Sequence, residues 1–232
     1  MAFNAPTRGE FGTAILRVLR DPAGDVFPAE AINDFIAQAM ADLSAYRPKE
    51  AREVATWPLP TDYVPFEDFT AIWKVEVLIQ NLNNEYVRSI AIPYVSNSAD
   101  DNRAGWDFYG GQLLISPFWT YRINSATADQ PAEIAVFGYQ DRTIPLDDSD
   151  ILDLSDATDY LCATNHCKYQ GFELLTHDRA LYQQWIAATN NTDVSPTQLQ
   201  GMAMLSETTY QKSRSRNTVL RRMPAASYVT AH

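Results

Sequence analysis

The stretch IWKVEVLI (72–79) places Trp73, Val75, Val77 and Ile79 on one side and Ile72, Lys74, Glu76 and Leu78 on the other. A period of two points successive side chains to opposite faces of an extended chain. It therefore predicts a strand with one continuous apolar face and one mixed face. Similar short runs place further strands at 54–57, 86–92, 113–116 and 133–139 around the central one at 73–79. Turn-forming residues separate them at 81–84, 97–105 and 126–131, and Gly110-Gly111 reads as a hairpin turn before LLISP.

On either side of this region the period changes to that of helices. In DVFPAEAINDFIAQAMADLSAYRP (25–48), Ile32, Phe35, Ile36, Ala39, Met40 and Leu43 recur three or four residues apart and form one stripe. Asp25 is the expected cap, Pro28 suits the first turn, and Pro48 stops the helix. A shorter helix is expected at 9–20, turning at Asp21-Pro22-Ala23-Gly24. After the strands, Ser155 is the expected cap of a helix reaching about residue 175, and 179–188 reads as helix too. Ser195-Pro196 opens the last one, with a stripe of Leu199, Met202, Leu205 and Tyr210. The class predicted is α+β: a helical bundle formed by N- and C-terminal helices, with an inserted small antiparallel β domain, a sandwich or partly open barrel. Expected boundaries are 1–50 and 150–217 for the helical platform, 51–149 for the β domain and 218–232 for an extended basic tail.

The chain has 232 residues, 46% of them hydrophobic and 12% aromatic, enough for a buried core. Its net charge is −11. Five of the 18 basic side chains, Lys212, Arg214, Arg216, Arg221 and Arg222, lie in the last 21 residues, where no acidic residue occurs. The remainder carries 13 basic against 29 acidic side chains, a net of −16. A field of that sign repels phosphate and argues against ordinary duplex DNA recognition. The basic end suggests a segment that orders on an acidic partner. MAFNAPTRGEFG lacks the apolar core of a signal peptide, and no run of about 18 apolar residues occurs. The expectation is synthesis in a reducing cytoplasm and no membrane span.

Chemistry-bearing patterns are sparse. Cys162 and His166 stand four apart on one predicted helix face, but two ligands make no zinc site, and Cys167 points elsewhere. LDDSDILDLSD (146–156) has five aspartates without the central glycine and closing glutamate of a calcium loop, so it reads as a solvated linker into a helix. No nucleophile elbow, phosphate loop or dinucleotide fingerprint occurs. The expectation is no enzyme: no catalytic residue, no metal ligand and no cofactor. Aromatic residues crowd the β domain, and Trp106, Phe108 and Trp119, near loop ends, are the expected exposed subset, serving a subunit contact or a sugar platform.

Taken in order, DVFPAEAINDFIAQAMADLSAYRP, WPLPTDYVPF (57–66), GWDFYGGQLLISP (105–117), IPLDDSDILDLSDATDYLCATNHCKYQGFELL (144–175) and TTYQKSRSRNTVLRRM (208–223) form a layout. Over roughly residues 25 to 222 it resembles the head-to-tail adaptor (connector) proteins in the neck of tailed bacteriophages. The resemblance implies a structural virion protein, assembled as a homo-oligomeric ring of usually twelve copies beneath the portal. Such a ring extends the DNA channel, lets the genome pass without sequence-specific binding, and docks the stopper or tail. It also implies portal binding by the C-terminal segment, hence by Lys212, Arg214, Arg216, Arg221 and Arg222; removal of the residues after Tyr210 is expected to leave folding intact and abolish portal attachment. The alternatives are another neck or tail-completion protein, or a carbohydrate- or receptor-binding module of a virion.

Overall fold

A computed structural model describes residues 3–57, 63–80, 83, 85–95, 105–126, 132–189 and 194–218. The chain is α+β, and its described residues divide into two units, 3–48 with 142–218, and 49–141; the expected tail at 218–232 lies, from residue 219 on, outside the described residues. The β domain is thus inserted into a helical unit, as the change of period predicts. Its second junction falls at Asp141/Arg142, before the expected 149. Arg142 explains the difference: it is 5% exposed in the helical unit, where its backbone N–H donates to Ser44 Oγ and its guanidinium to the Arg47 and Asp153 carbonyls.

The helical unit starts with α1 (Arg8–Val18), held by a capping box between Thr7 and Glu10. Its far end is a Schellman turn: Arg20 takes φ 63°, and Asp21 N–H donates to the Leu16 carbonyl. The next helix, α2 (Ala29–Tyr46), buries the predicted stripe. Asp25 does not cap it. Instead Asp21, 2% exposed, accepts the backbone N–H groups of Asp25, Val26 and Phe27 at 3.1, 2.9 and 2.8 Å. A carboxylate that collects three amides shapes the whole approach, and it needs burial that a linear reading does not show.

After the β domain come α4 (Ala157–His177), α5 (Arg179–Thr189) and α6 (Pro196–Asn217). Asp156, not Ser155, caps α4, its side chain accepting from Thr158 and Asp159 N–H. Ser195 caps α6 in a capping box with Gln198, and Pro196 takes the first helical position as predicted. Phe11, Ile15, Leu19, Ile36, Met40, Leu43, Phe172 and Trp185 are among the side chains of one core. Trp185, fully buried, donates its indole N–H to the Leu19 carbonyl at 2.9 Å. Among the described residues no helix is long and apolar enough to cross a membrane.

The inserted domain has two antiparallel sheets. One orders its strands β1 (Lys49–Trp57), β7 (Ala132–Gln140), β3 (Phe69–Gln80), β4 (Tyr86–Ile92). The other orders them β2 (Tyr63–Pro65), β6 (Gln112–Ile115), β5 (Trp106–Tyr109). Both sheets contribute to one core, and a parallel bridge from Tyr94 to Trp106 links them. Strands β5 and β6 meet across Gly110 (φ 59°) and Gly111 (φ 76°), the expected two-residue hairpin turn. In β3, Val75, Val77 and Ile79 are buried as the alternation predicts, but Ile72 replaces Trp73 inside. The pairing with β7 slips between Ile72 and Lys74, and a bulge of this kind moves side chains to the other face. At Gly138 in β7 a Cβ would stand 2.4 Å from the Ala71 carbonyl oxygen, so this crossing admits only glycine without a shift.

Sequence reading leaves out three elements: β2, β5 and α3 (Pro117–Ala126). The first two are three and four residues long, too short for an alternation to register. Helix α3 carries the Ser-Pro opening that also marks α6. Ser116 accepts Thr120 N–H, and Trp119 and Ile123 point inward one turn apart.

Candidate functional site

Helix α6 carries the described part of the expected basic contact surface, and its attachment is narrow. Leu199, Ser206 and Tyr210 are buried, with Met202, Ala203, Ser213, Arg214 and Asn217 half-buried beside them. These residues lie three or four apart, so one stripe faces inward and the rest of the helix is exposed. The stripe ends in a polar cluster contributed by α2, α4 and α6. Tyr210 donates its hydroxyl to Asp42 Oδ2 at 2.5 Å, and His166 Nδ1 stands 3.4 Å from the same oxygen. The Arg214 guanidinium is 3.7 Å from Asp42 Oδ1 and lies over the Tyr46 ring at 5.6 Å. Tyr169 stacks on Tyr210 with ring centroids 5.6 Å apart. Cys162 Sγ is 3.2 Å from Ser213 Oγ.

Burial acts to raise the Asp42 pKa; the neighbouring His166, the bond from Tyr210 and the charge of Arg214 outweigh it and hold the carboxyl below 3.8. The unfolded chain therefore takes up this proton first as pH falls. The cluster's contribution is complete above pH 3.8 and is lost as pH drops through the lower folded value. Asp42→Asn should flatten the acid limb of stability below about pH 4. Denaturant midpoints of both proteins between pH 3 and 6 read this directly, and parallel curves would refute it.

Below this cluster lies a second one. Asp159, with no side-chain exposure, is bound by Arg47 Nε at 2.6 Å and Arg142 Nη2 at 2.8 Å and accepts Ser155 N–H at 2.8 Å. Arg47 also reaches Asp156 and the Asn217 carbonyl, so the end of α6 is tied to the ends of α2 and α4. These are structural roles. Among the described residues no three His, Cys, Asp or Glu side chains gather as a metal-binding group. Cys162 and His166 each meet a different residue of α6. Cys167 is fully buried, and desolvation pushes its thiol well above its ordinary range.

The expected contact residues separate on inspection. Lys212 and Arg216 are exposed on α6, Arg214 is engaged with Asp42 and Tyr46, and Arg221 and Arg222 lie outside the described residues. The expected exposed trio of the β domain is corrected. Trp106 is 1% and Trp119 8% exposed, both in the core, and Phe108 is half-buried against it. Trp106 donates its indole N–H to the Ile92 carbonyl at 2.9 Å, and the Arg122 guanidinium covers the Trp119 ring at 4.9 Å. The aromatic side chains that do face water include Tyr86, Tyr109, Phe118 and Tyr121. Phe118 and Tyr121, three apart on α3, were legible only once that helix was.

The aspartates of 146–156 are placed rather than loose. Asp148 binds Arg8, Asp150 accepts the Leu146 and Asp147 N–H groups, Asp153 accepts Thr143 N–H, and Asp156 caps α4. A groove of about 720 Å³ between α4, α5 and α6 is lined by Tyr169, Glu173, His177, Tyr182, Leu199 and Met204 among others. Its lining mixes polar and apolar side chains. Comparison with protein-family models finds no match to this chain, and comparison with curated proteins finds none.

Proposed function

We propose that this chain is a structural virion protein, a head-to-tail adaptor of a tailed bacteriophage. It assembles as a ring under the portal, extends the DNA channel, and docks the stopper or tail. The observation that carries this reading is α6. A 22-residue helix attached along one stripe leaves most of its surface to a partner, and it leads into a basic C-terminal segment. Acidity elsewhere suits a channel wall, since a surface that neutralises phosphates would hold DNA. The protein acts through assembly, without catalysis or cofactor, at the virion neck.

The test is particle mass, measured for the full chain alone and after mixing with the portal of the same genome. Joining the portal in several copies is the expected result. A chain that ignores the portal overturns the adaptor reading and favours another neck or tail-completion protein. The cut that probes the C-terminal segment belongs after Thr218, not after Tyr210. Residues 211–217 are helix, and Ser213, Arg214 and Asn217 hold it to Cys162, Asp42 and Arg47. Truncation at Thr218 should leave the melting temperature unchanged and abolish portal attachment. Phe118 and Tyr121 on α3 favour the receptor-module alternative, for which glycan binding by the full chain is the readout.

A further inference from the structure

The helical unit exposes two patches of matching chemistry. One is the turn at 144–151. Leu146 is 80% exposed, Ile151 69% and Ile144 44%, and Asp147 and Asp148 are exposed among them. The turn is built, not loose: the Asp150 carboxylate accepts the N–H groups of Leu146 and Asp147 at 2.9 Å, and Asp150 N–H donates to the Asp147 carbonyl. Its far side is fastened to α1, where Arg8 and Gly9 N–H groups donate to the Asp150 and Asp148 carbonyls. Three aliphatic side chains are thereby held in water by a turn that has no freedom to bury them.

The other patch is the outer face of α6. Leu205 is 68% and Met204 62% exposed, and Lys212 and Arg216 follow Leu205 by seven and eleven residues, on one stripe. The two patches lie on different sides of α4. Its Tyr160 meets Phe11 of α1 edge-on at 5.3 Å, and Gly171 receives Leu19 from the end of α1. Its Cys162, His166 and Tyr169, about half a turn round from Tyr160, meet α6 instead.

We propose that the 144–151 turn of one copy docks on the outer face of α6 in the next. Leu146 and Ile151 cover Met204 and Leu205, and Asp147 faces Lys212 and Arg216, while Asp148 stays paired with Arg8 of its own chain. The occupant is a second copy because its exposed turn supplies what no described residue gives the outer face of α6: an apolar cap and the opposite charge. Such a contact is heterologous, one patch against a different one, and its repetition closes a ring or runs on. Ring closure rests on the adaptor reading; the pairing needs only a second copy. It assigns Lys212 and Arg216 to the neighbouring subunit and leaves portal binding to the chain beyond Thr218.

The experiment uses full-length Leu146→Cys and Leu205→Cys chains, whose native Cys162 and Cys167 are buried. They are oxidised singly and mixed, with and without the portal. The mixture should form disulfide-linked dimers, and the double variant a ladder of higher multiples, while each single variant alone forms no disulfide-linked dimer. Lys212→Glu should weaken self-association about tenfold, and adding Asp147→Lys should restore it. Multi-copy attachment to the portal without the 146–205 crosslink overturns this pairing and leaves the adaptor reading standing. Crosslinking without portal attachment supports the pairing and sinks the adaptor reading. Dimers from a single variant, or no crosslink under any condition, overturn the pairing.

Discussion

Replacing Asp159 by alanine will cost the helical unit about 3–5 kcal/mol, the range for removing one partner of a buried ion pair. Asp159 and Arg142 have 0% and 2% side-chain exposure, and Arg47 is only 16% exposed. With the carboxylate gone, Arg47 keeps Asp156 as its carboxylate partner, the buried Arg142 loses Asp159, and Ser155 N–H loses its acceptor. The penalty is the uncompensated charge, not the worth of the pair itself. Asp159→Asn keeps the shape but turns an amide N–H₂ toward a guanidinium, so it should be only modestly milder. The denaturant dependence of amide exchange in the buried turns of α2 and α4, with all five tryptophans left in place, reports this unit. A loss below about 1 kcal/mol, typical of an exposed pair, would show that the network is dispensable.

Trp106→Ala should destabilise the β domain by about 3–5 kcal/mol, the cost of emptying a large buried aromatic site. The ring is 1% exposed, meets Tyr94 edge-on at 5.0 Å, and gives its N–H to the Ile92 carbonyl. Its backbone also bridges Pro93 and Val95, so the same residue links the two sheets. Trp106→Phe keeps most of the volume and forfeits the hydrogen bond, which should cost about 1–3 kcal/mol. Amide exchange in β3 and β7 would show the loss locally. Unchanged protection, together with loss of a binding partner, would return Trp106 to the surface role its position near a loop suggests.

The helical platform and the four longest strands were legible because each repeats a local rule several times. Six apolar residues at three- and four-residue spacing define α2, and Ser195-Pro196 defines the start of α6. The bulge in β3 was not legible, since IWKVEVLI alternates without interruption and the slip exists only in the pairing with β7. Asp25 and Ser155 were the nearest residues able to cap. Asp156 caps α4 instead, while α2 starts at Pro28 without a side-chain cap and Asp21 holds the three amides of the segment before it.

The site shows the same division. Lys212 and Arg216 could be picked out from the charge pattern, but the Arg214 link to Asp42 and Tyr46 could not. Asp42 and Tyr210 are 168 residues apart, Asp159 and Arg47 are 112. By itself the sequence determined the class of fold, the insertion of a β domain between helices, and the acidic body with its basic end. Those follow from periodicity and charge, which are properties of neighbouring residues. Only the tertiary structure decided which aromatic side chains face water, which aspartates are buried with arginines, and which faces of α6 and the 144–151 turn stay open. These depend on contacts between residues distant in sequence, from 14 for Trp106 and Ile92 to 168 for Tyr210 and Asp42, and burial sets the value of each charge and ring.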